Sequence, residues 1–388
     1  MDCQTLAEKY NDYQIEMRRY FHAHPEVSTK EYETAKRIRE ELTKYGIEWR
    51  PCGLETGTLA TIHGKGPGKT ILLRGDIDAL SVQEETGCDY ASQNPGVMHA
   101  CGHDCHISML LTAARMLNDL RDSFSGTVKL AFQPAEETGE GARSMAAQGA
   151  LEGVDGCFAM HVWSDVPAGK VSLSAGPRMA GCDEFTVTID GVGGHGAQPH
   201  HCVDAVVVGS AVVNSLQTMV SREFSPVETA VVTVGTFHAG TRWNVIAGQA
   251  VLTGTTRFFT REMAEAIPAA FKRIVTNTVE ALRAKATIKY DCIVPPTIND
   301  PAMTALAQGS VRAVFGEDGL FDTPPTMGGE DFAYTMNEVP GCVALLGVRN
   351  EACGAVYGQH HNKYQVDESV LVKGALLHVR TALDFLSK

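Results

Sequence analysis

The chain has 388 residues, 44% of them hydrophobic and 20% charged, which suits a soluble protein of two domains with a sizeable core. It carries 46 acidic and 33 basic residues, a formal charge of −13, so nucleic acid and anionic membrane surfaces are poor partners. Residues 1–19 are polar and charged, and no apolar run is long enough to span a bilayer, so export and membrane insertion are not expected. Eleven cysteines in a large chain of this kind fit a reducing cytoplasm, most of them as small buried apolar side chains.

Apolar residues at helical spacing from Leu6 to Tyr20 predict a first helix, which His24-Pro25-Glu26 breaks. A second helix is expected over Lys30–Tyr45, stopped by Gly46. Strands at Thr70–Leu73, Thr127–Phe132, Gly156–Val162 and Val343–Val348 alternate with helices at Ser108–Leu120 and Ala142–Leu151. That rhythm predicts an α/β fold with a mostly parallel sheet.

The middle of the chain has another rhythm. Strands at Glu184–Asp190, Thr229–Phe237, Val245–Phe259 and Thr287–Ile293 are interleaved with helices at Val203–Arg222 and Arg261–Lys285. The order βαββαβ predicts a ferredoxin-like α+β domain at residues 181–293, inserted into a first domain made of 1–180 and 294–388.

Chemistry-bearing residues follow the predicted strands of the first domain: Asp76 and Asp78 the first, Glu136 and Glu137 the second, while His161 ends the third and His361 follows the last. Open parallel sheets form their sites at the carboxyl ends of strands, so independent segments deliver this chemistry to one edge. Cys101 and His103 sit two apart just before an apolar helix. Cys101, His103, Glu137, His161 and His361 offer the thiolate, imidazole and carboxylate donors that divalent ions take. Five donors exceed one tetrahedral ion, and two ions about 3.5–4 Å apart fit them better, with Cys101 as the shared thiolate. Adjacent Glu136 and Glu137 divide naturally into one base and one ligand. Asp78 is a candidate to orient a ligand or a water, and Asp76 either supports the site or caps the next segment. In the middle domain, His195 within a glycine-rich run is a candidate oxyanion donor or an incidental histidine of a turn, Asn244 and Arg257 are polar residues on or near the strands, and Arg257 suits a surface salt bridge or a substrate carboxylate.

Several motifs resemble the M20 metallopeptidase family, and within it the aminoacylase/amidohydrolase branch of hippurate hydrolases, N-acyl-amino-acid amidohydrolases and auxin-conjugate hydrolases. They are Phe21–Glu26, Arg74–Leu80, Met98–His106, Phe132–Glu137, Gly193–His200, Asn244–Ile246, Gly328–Phe332 and His360-His361-Asn362, nearly the whole chain. The resemblance implies a catalytic domain with two divalent ions (zinc, manganese, cobalt or nickel) and an inserted lid that dimerises. It implies Cys101, His103, Glu137, His161 and His361 as ligands, Glu136 as general base and then acid, and His195 polarising the scissile carbonyl. It also implies Asn244 and Arg257 as lid residues on the substrate. Ser81 and Lys363 stand where the family usually has proline.

The expected activity is metal-dependent hydrolysis of the amide of a small N-acyl amino acid. A carboxypeptidase or dipeptidase would use the same centre. A hydrolase with Cys101 as nucleophile and an inactive metal-binding homologue are the rivals of other classes.

Overall fold

The computed structural model describes residues 3–388. The chain divides into two compact units. The first comprises 1–178, 298–324 and 331–388, and the second comprises 179–297 and 325–330. The insert read from the sequence, 181–293, lies within the second unit.

The main strands in chain order are β1 (Glu48–Pro51), β2 (Thr58–His63), β3 (Thr70–Asp76), β4 (Thr127–Gln133), β5 (Gly156–Pro167) and β6 (Val171–Ser172). They continue with β7 (Gly181–Asp190), β8 (Ala230–Ala239), β9 (Gln249–Phe258), β10 (Lys285–Val294), β11 (Leu320–Phe321) and β12 (Gly341–Arg349). In the first unit eight strands form one sheet in the order β1-β2-β4-β3-β5-β12-β6-β11. Its centre, β4-β3-β5-β12, is parallel. β1, β2 and the β6–β12 pairing add antiparallel edges.

The central strands are buried on both faces, as a parallel sheet covered by helices requires. Leu73 pairs across to Leu130 on one side and Phe158 on the other, and all three are fully buried. Helix α1 (Cys3–Ala23), α2 (Tyr32–Lys44) and α3 (His103–Asp119) precede β4 in the chain. α3 packs between α1, the C-terminal helix Leu371–Leu386 and the sheet, with most of its side chains buried.

The second unit has one four-stranded antiparallel sheet in the order β8-β9-β7-β10. Helices Ala205–Thr218 and Arg261–Ala281 supply its core with Val212, Leu216, Ile267 and Phe271 against Phe185, Val187 and Leu252. Its element order is βαββαβ.

Three of the expected boundaries that differ have a clear physical reason. α3 begins at His103, five residues before the apolar pattern, because its first turn is polar yet buried. β5 runs on to Pro167, so His161 lies within the strand and not at its end; it sits beside Leu345 of β12, and the pairing persists to Pro167. The expected strand Val245–Phe259 is split, since Val245-Ile246 pairs with His195 and Gly194 while β9 starts only at Gln249.

Arg74, almost fully buried on β3, ties the sheet's carboxyl edge together. Its guanidinium donates to Asp76 at 2.6 Å, Gln133 at 2.9 Å and Asp331 at 2.9 Å. Removing one partner of a buried ion pair strands a charge in low dielectric. Arg74→Met is therefore expected to cost about 3–5 kcal/mol of stability, measured as a lower urea midpoint at unchanged slope. A midpoint equal to the parent's would show that Asp76 and Asp331 do not depend on this cation.

Candidate metal centre

The site is built at the edge that β3, β4 and α3 share in the first unit. Gly102 sets its geometry. Its φ of 90° is left-handed, and a Cβ there would stand 2.3 Å from Val162 Cγ2, so only glycine lets the chain turn here between Cys101 and His103.

Each imidazole is aimed by a bond to its other nitrogen. His103 Nδ1 donates to the Asp78 carbonyl at 2.9 Å, which leaves Nε2 directed inward. His161 Nδ1 donates to the Val162 carbonyl at 2.7 Å, which leaves Nε2 3.5 Å from Cys101 Sγ. His103 Nε2 lies 3.9 Å from Glu137 Oε1, and both atoms are buried with no hydrogen-bond partner. Two buried polar atoms without a partner are costly, and a divalent ion between them would satisfy both once His103 Nε2 has given up its proton. Cys101, His103 and His161 form one group of donors within 4.8 Å of one another; Cys101, Glu137 and His360 form a second. Cys101 belongs to both. This donor set of sulfur, nitrogen and oxygen fits two divalent ions sharing the thiolate.

Without an ion, the protein groups alone keep the thiol and one imidazole of this cluster protonated. Burial pushes the Cys101 thiol well up, and the Glu137 carboxylate adds to that, while His103 opposes it. Burial also works against a charged His103, but Asp76, Asp78 and Cys101 outweigh it and hold that imidazole well above the ordinary histidine range. Burial and His106 keep His161 well below that range, so its Nε2 is unprotonated and its lone pair is free for a cation. A divalent ion would displace the proton from His103 and the thiol alike.

Asp78 is buried and accepts the backbone N–H groups of Glu136 and Glu137, both at 3.1 Å, one on each oxygen. Ser28 Oγ donates to it at 2.6 Å, and His103 Nδ1 lies 3.3 Å from it. The two glutamates are thus presented by a turn pinned to one carboxylate, with Ala135 before them at φ 52° and its N–H donated to Glu31. Glu136 falls in one group with His103 and Glu137, and its Oε1 accepts from Asp331 N–H at 3.4 Å.

The structure brings Cys101, His103, Glu137, His161, Asp78 and Glu136 together. It brings His360, not His361, to the same place. His360 Nε2 is 3.5 Å from Glu137 Oε1, and its N–H bonds the Ala100 carbonyl at 2.7 Å, with φ at 66°. His361 instead accepts the Lys363 N–H at 3.0 Å and stacks on Tyr357 with centroids 4.4 Å apart. The left-handed turn at His360 decides which of two neighbouring histidines faces inward. Asp76 caps nothing: it accepts from Arg74 and His106 and lies 3.6 Å from His103 Nε2. His106 completes that relay by accepting the Val162 N–H at 2.9 Å, beside His161.

Arg74, His106 and Asp331 had no assigned role in the sequence. Asp331 accepts from Arg74, Gln133 and the Ala142 N–H. The signal available was a charged residue flanked by apolar ones, Leu73 before Arg74 and Phe332 after Asp331.

His195, Asn244 and Arg257 lie in the second unit. His195 pairs with Val245, and the Asn244 carbonyl accepts the Gly196 N–H at 3.0 Å. His195 Nδ1 accepts the Ala197 N–H at 3.0 Å, which puts its proton on Nε2, the tautomer that donates outward. Arg257 is half-buried on β9, its Nη1 3.4 Å from the Met327 carbonyl.

Residues 72–384 match the model of peptidase family M20/M25/M40. The chain belongs to this family. It is 38% identical over 382 residues to an N-acetyl-L-cysteine deacetylase of Bacillus subtilis (strain 168), covering 96% of this chain and 90% of that protein. It is 37% identical over 386 residues to thermostable carboxypeptidase 1 of Saccharolobus solfataricus, covering 98% of each. A solved Bacillus subtilis structure described as a dinuclear metal-binding M20 peptidase superposes with a TM-score of 0.86 at 34% identity, covering 98% of this chain and 99% of that one. This M20 protein is accordingly a hydrolase of the amidohydrolase type. No helix among its described residues is long and apolar enough to cross a membrane.

The two histidines can be separated by experiment. His360→Ala is expected to weaken metal binding by about 10-fold or more, whereas His361→Ala leaves metal content unchanged. Elemental analysis of both proteins after dialysis checks this, and the opposite pattern would restore His361 as the ligand.

Proposed function

We propose that this protein hydrolyses the amide bond of small N-acyl amino acids, releasing a carboxylic acid and a free amino acid. One observation carries the reading: Glu136 lies in the same cluster as the ligands His103 and Glu137, beyond what two three-donor groups need to hold their ions. A carboxylate kept beside a metal centre without being needed for binding is a proton carrier.

Cys101, His103, Glu137, His161 and His360 would hold the ions. Two divalent ions supply Lewis-acid polarisation of a carbonyl oxygen and lower the pKa of water at the site. Glu136 takes the proton of the attacking water and hands it to the amide nitrogen as the C–N bond breaks. Asp78 keeps Glu136 and Glu137 in register through their N–H groups. His195 Nε2–H is assigned to the developing oxyanion, and Asn244 and Arg257 to the substrate, with the guanidinium taking the amino acid carboxylate. A homodimer formed through the second unit belongs to the same proposal. The nearly bare side chain of Trp243, 91% exposed, supports it; a monomer in sedimentation equilibrium would remove it. A cytoplasmic location is also part of it, in keeping with the free thiols of Cys52, Cys88 and the other cysteines through Cys353.

A second reading is peptide cleavage by the same centre, favoured by the 37% identity to a carboxypeptidase. Nucleophilic attack by Cys101 is disfavoured, because burial and Glu137 push its thiol up.

Glu136→Gln is expected to keep full metal content and to lower kcat by roughly 10²–10⁴-fold. Near-parental turnover would remove Glu136 from its role. A panel of N-acyl amino acids and dipeptides, run on chelated and metal-resupplied enzyme, separates the two substrate readings. Faster metal-restored release from acyl substrates supports the first, and faster dipeptide cleavage the second.

A further inference from the structure

Outside the metal centre, the loop between Leu80 and Met98 carries a second cluster of reactive groups. Cys88 is half-buried there. Thr86 Oγ1 lies 3.4 Å from its sulfur and also bonds Glu84 Oε1, which is itself 3.8 Å from the sulfur. The donor atoms of His22, Glu84 and Cys88 lie within 4.8 Å of one another. His22 is fixed from both sides, with Nε2 3.2 Å from Glu84 Oε1 and Nδ1 2.7 Å from Asp104 Oδ2. Arg18 in turn holds Asp104 through Nε at 3.0 Å. Carboxylates on both ring nitrogens keep both protons on the ring. Burial and Arg18 oppose that charge, yet Asp104 prevails and His22 is raised to about 10.

An imidazolium beside a sulfur stabilises the thiolate, the reactive form of cysteine. Burial pushes the Cys88 thiol up, but His22 and Thr86 more than offset it and hold it below the usual range. The fully enclosed Cys105, Cys157 and Cys342 are all pushed the other way by burial. Cys88 thus combines a cationic neighbour with partial access, whereas Cys105, Cys157 and Cys342 are all fully enclosed, Cys105 even with Arg18 beside it.

We propose that Cys88 is a nucleophilic thiolate and a site of S-thiolation by small disulfides of the type R–S–S–R. Its sulfur attacks one sulfur of the disulfide. A Cys88–S–S–R bond forms, the original S–S bond breaks, and RS⁻ leaves with the electron pair and takes a proton from solvent. Cys88 is oxidised and one half of the disulfide is reduced, so no further oxidant is needed.

The test uses the metal-loaded enzyme, hydroxyethyl disulfide below stoichiometry at pH 6.5, acid quenching and peptide mass spectrometry. Cys353, exposed and hydrogen-bonded only to the Asn350 carbonyl, is the internal reference. The mixed disulfide is expected at Cys88 about 10-fold or more faster than at Cys353, despite the lesser exposure. His22→Gln should remove that advantage and leave the Cys353 rate unchanged. A Cys88 rate at or below that of Cys353 in the parent enzyme would overturn the proposal, and that comparison needs no variant. An unaffected rate in His22→Gln would overturn it too. Reactivity that emerges only after chelation would also overturn it, since His22, Glu84 and Cys88 would then be holding an ion.

Discussion

The buried carboxylate of Asp78 is the constraint on which the centre rests. It takes one backbone N–H from each of Glu136 and Glu137, a hydroxyl from Ser28, and lies within reach of His103. Four separate stretches of chain meet at one residue. A carboxylate buried this deeply survives as an anion only when such donors replace water. Its own equilibrium shows this, since burial alone would raise its pKa and His103 and Ser28 bring it below the ordinary carboxylate range. The same donors that keep Asp78 charged are the groups the site needs held still.

Around that point the orientation of the ligands follows a common rule. His103 and His161 each spend Nδ1 on a backbone carbonyl, so each presents Nε2. His106, between them in space, uses both nitrogens on Asp76 and Val162 and is left with nothing to offer an ion. Three histidines of similar burial are thereby sorted into two ligands and one positioning residue by their hydrogen bonds alone. Arg74 plays the matching part for the acids, gathering Asp76 and Asp331 at the carboxyl edge of the sheet. Asp331 then carries that order to the turn that holds Glu136.

Much of this was legible in the sequence. Apolar runs separated by helical patterns mark a parallel sheet, and polar residues placed after several of those runs mark one edge as a site. Cys101, His103 and Glu137 stand out because thiolate, imidazole and carboxylate have few other reasons to gather near apolar segments. What stayed hidden has physical causes. Two adjacent histidines have the same chemistry, and a φ of 66° at His360 is a property of the folded backbone. The first turn of α3 escaped the periodicity because its buried residues are polar, satisfied by partners distant in sequence: Asp78 for His103, Arg18 and His22 for Asp104, Asp76 for His106. The continuation of β5 past His161 depends on its partner strand, whose Leu345 and Arg349 pair with His161 and Pro167 from far along the chain.

The sequence by itself determined the class of chemistry, since donor types and local patterning are properties of residues and their near neighbours. It also marked the alternation that makes the sheet and the separate rhythm of the middle segment. Only the tertiary structure decided which histidine completes the second donor group, which imidazoles keep a free nitrogen, and which buried acids have cations beside them. Those outcomes depend on distances between residues far apart in the chain and on desolvation, and neither exists until the chain is folded.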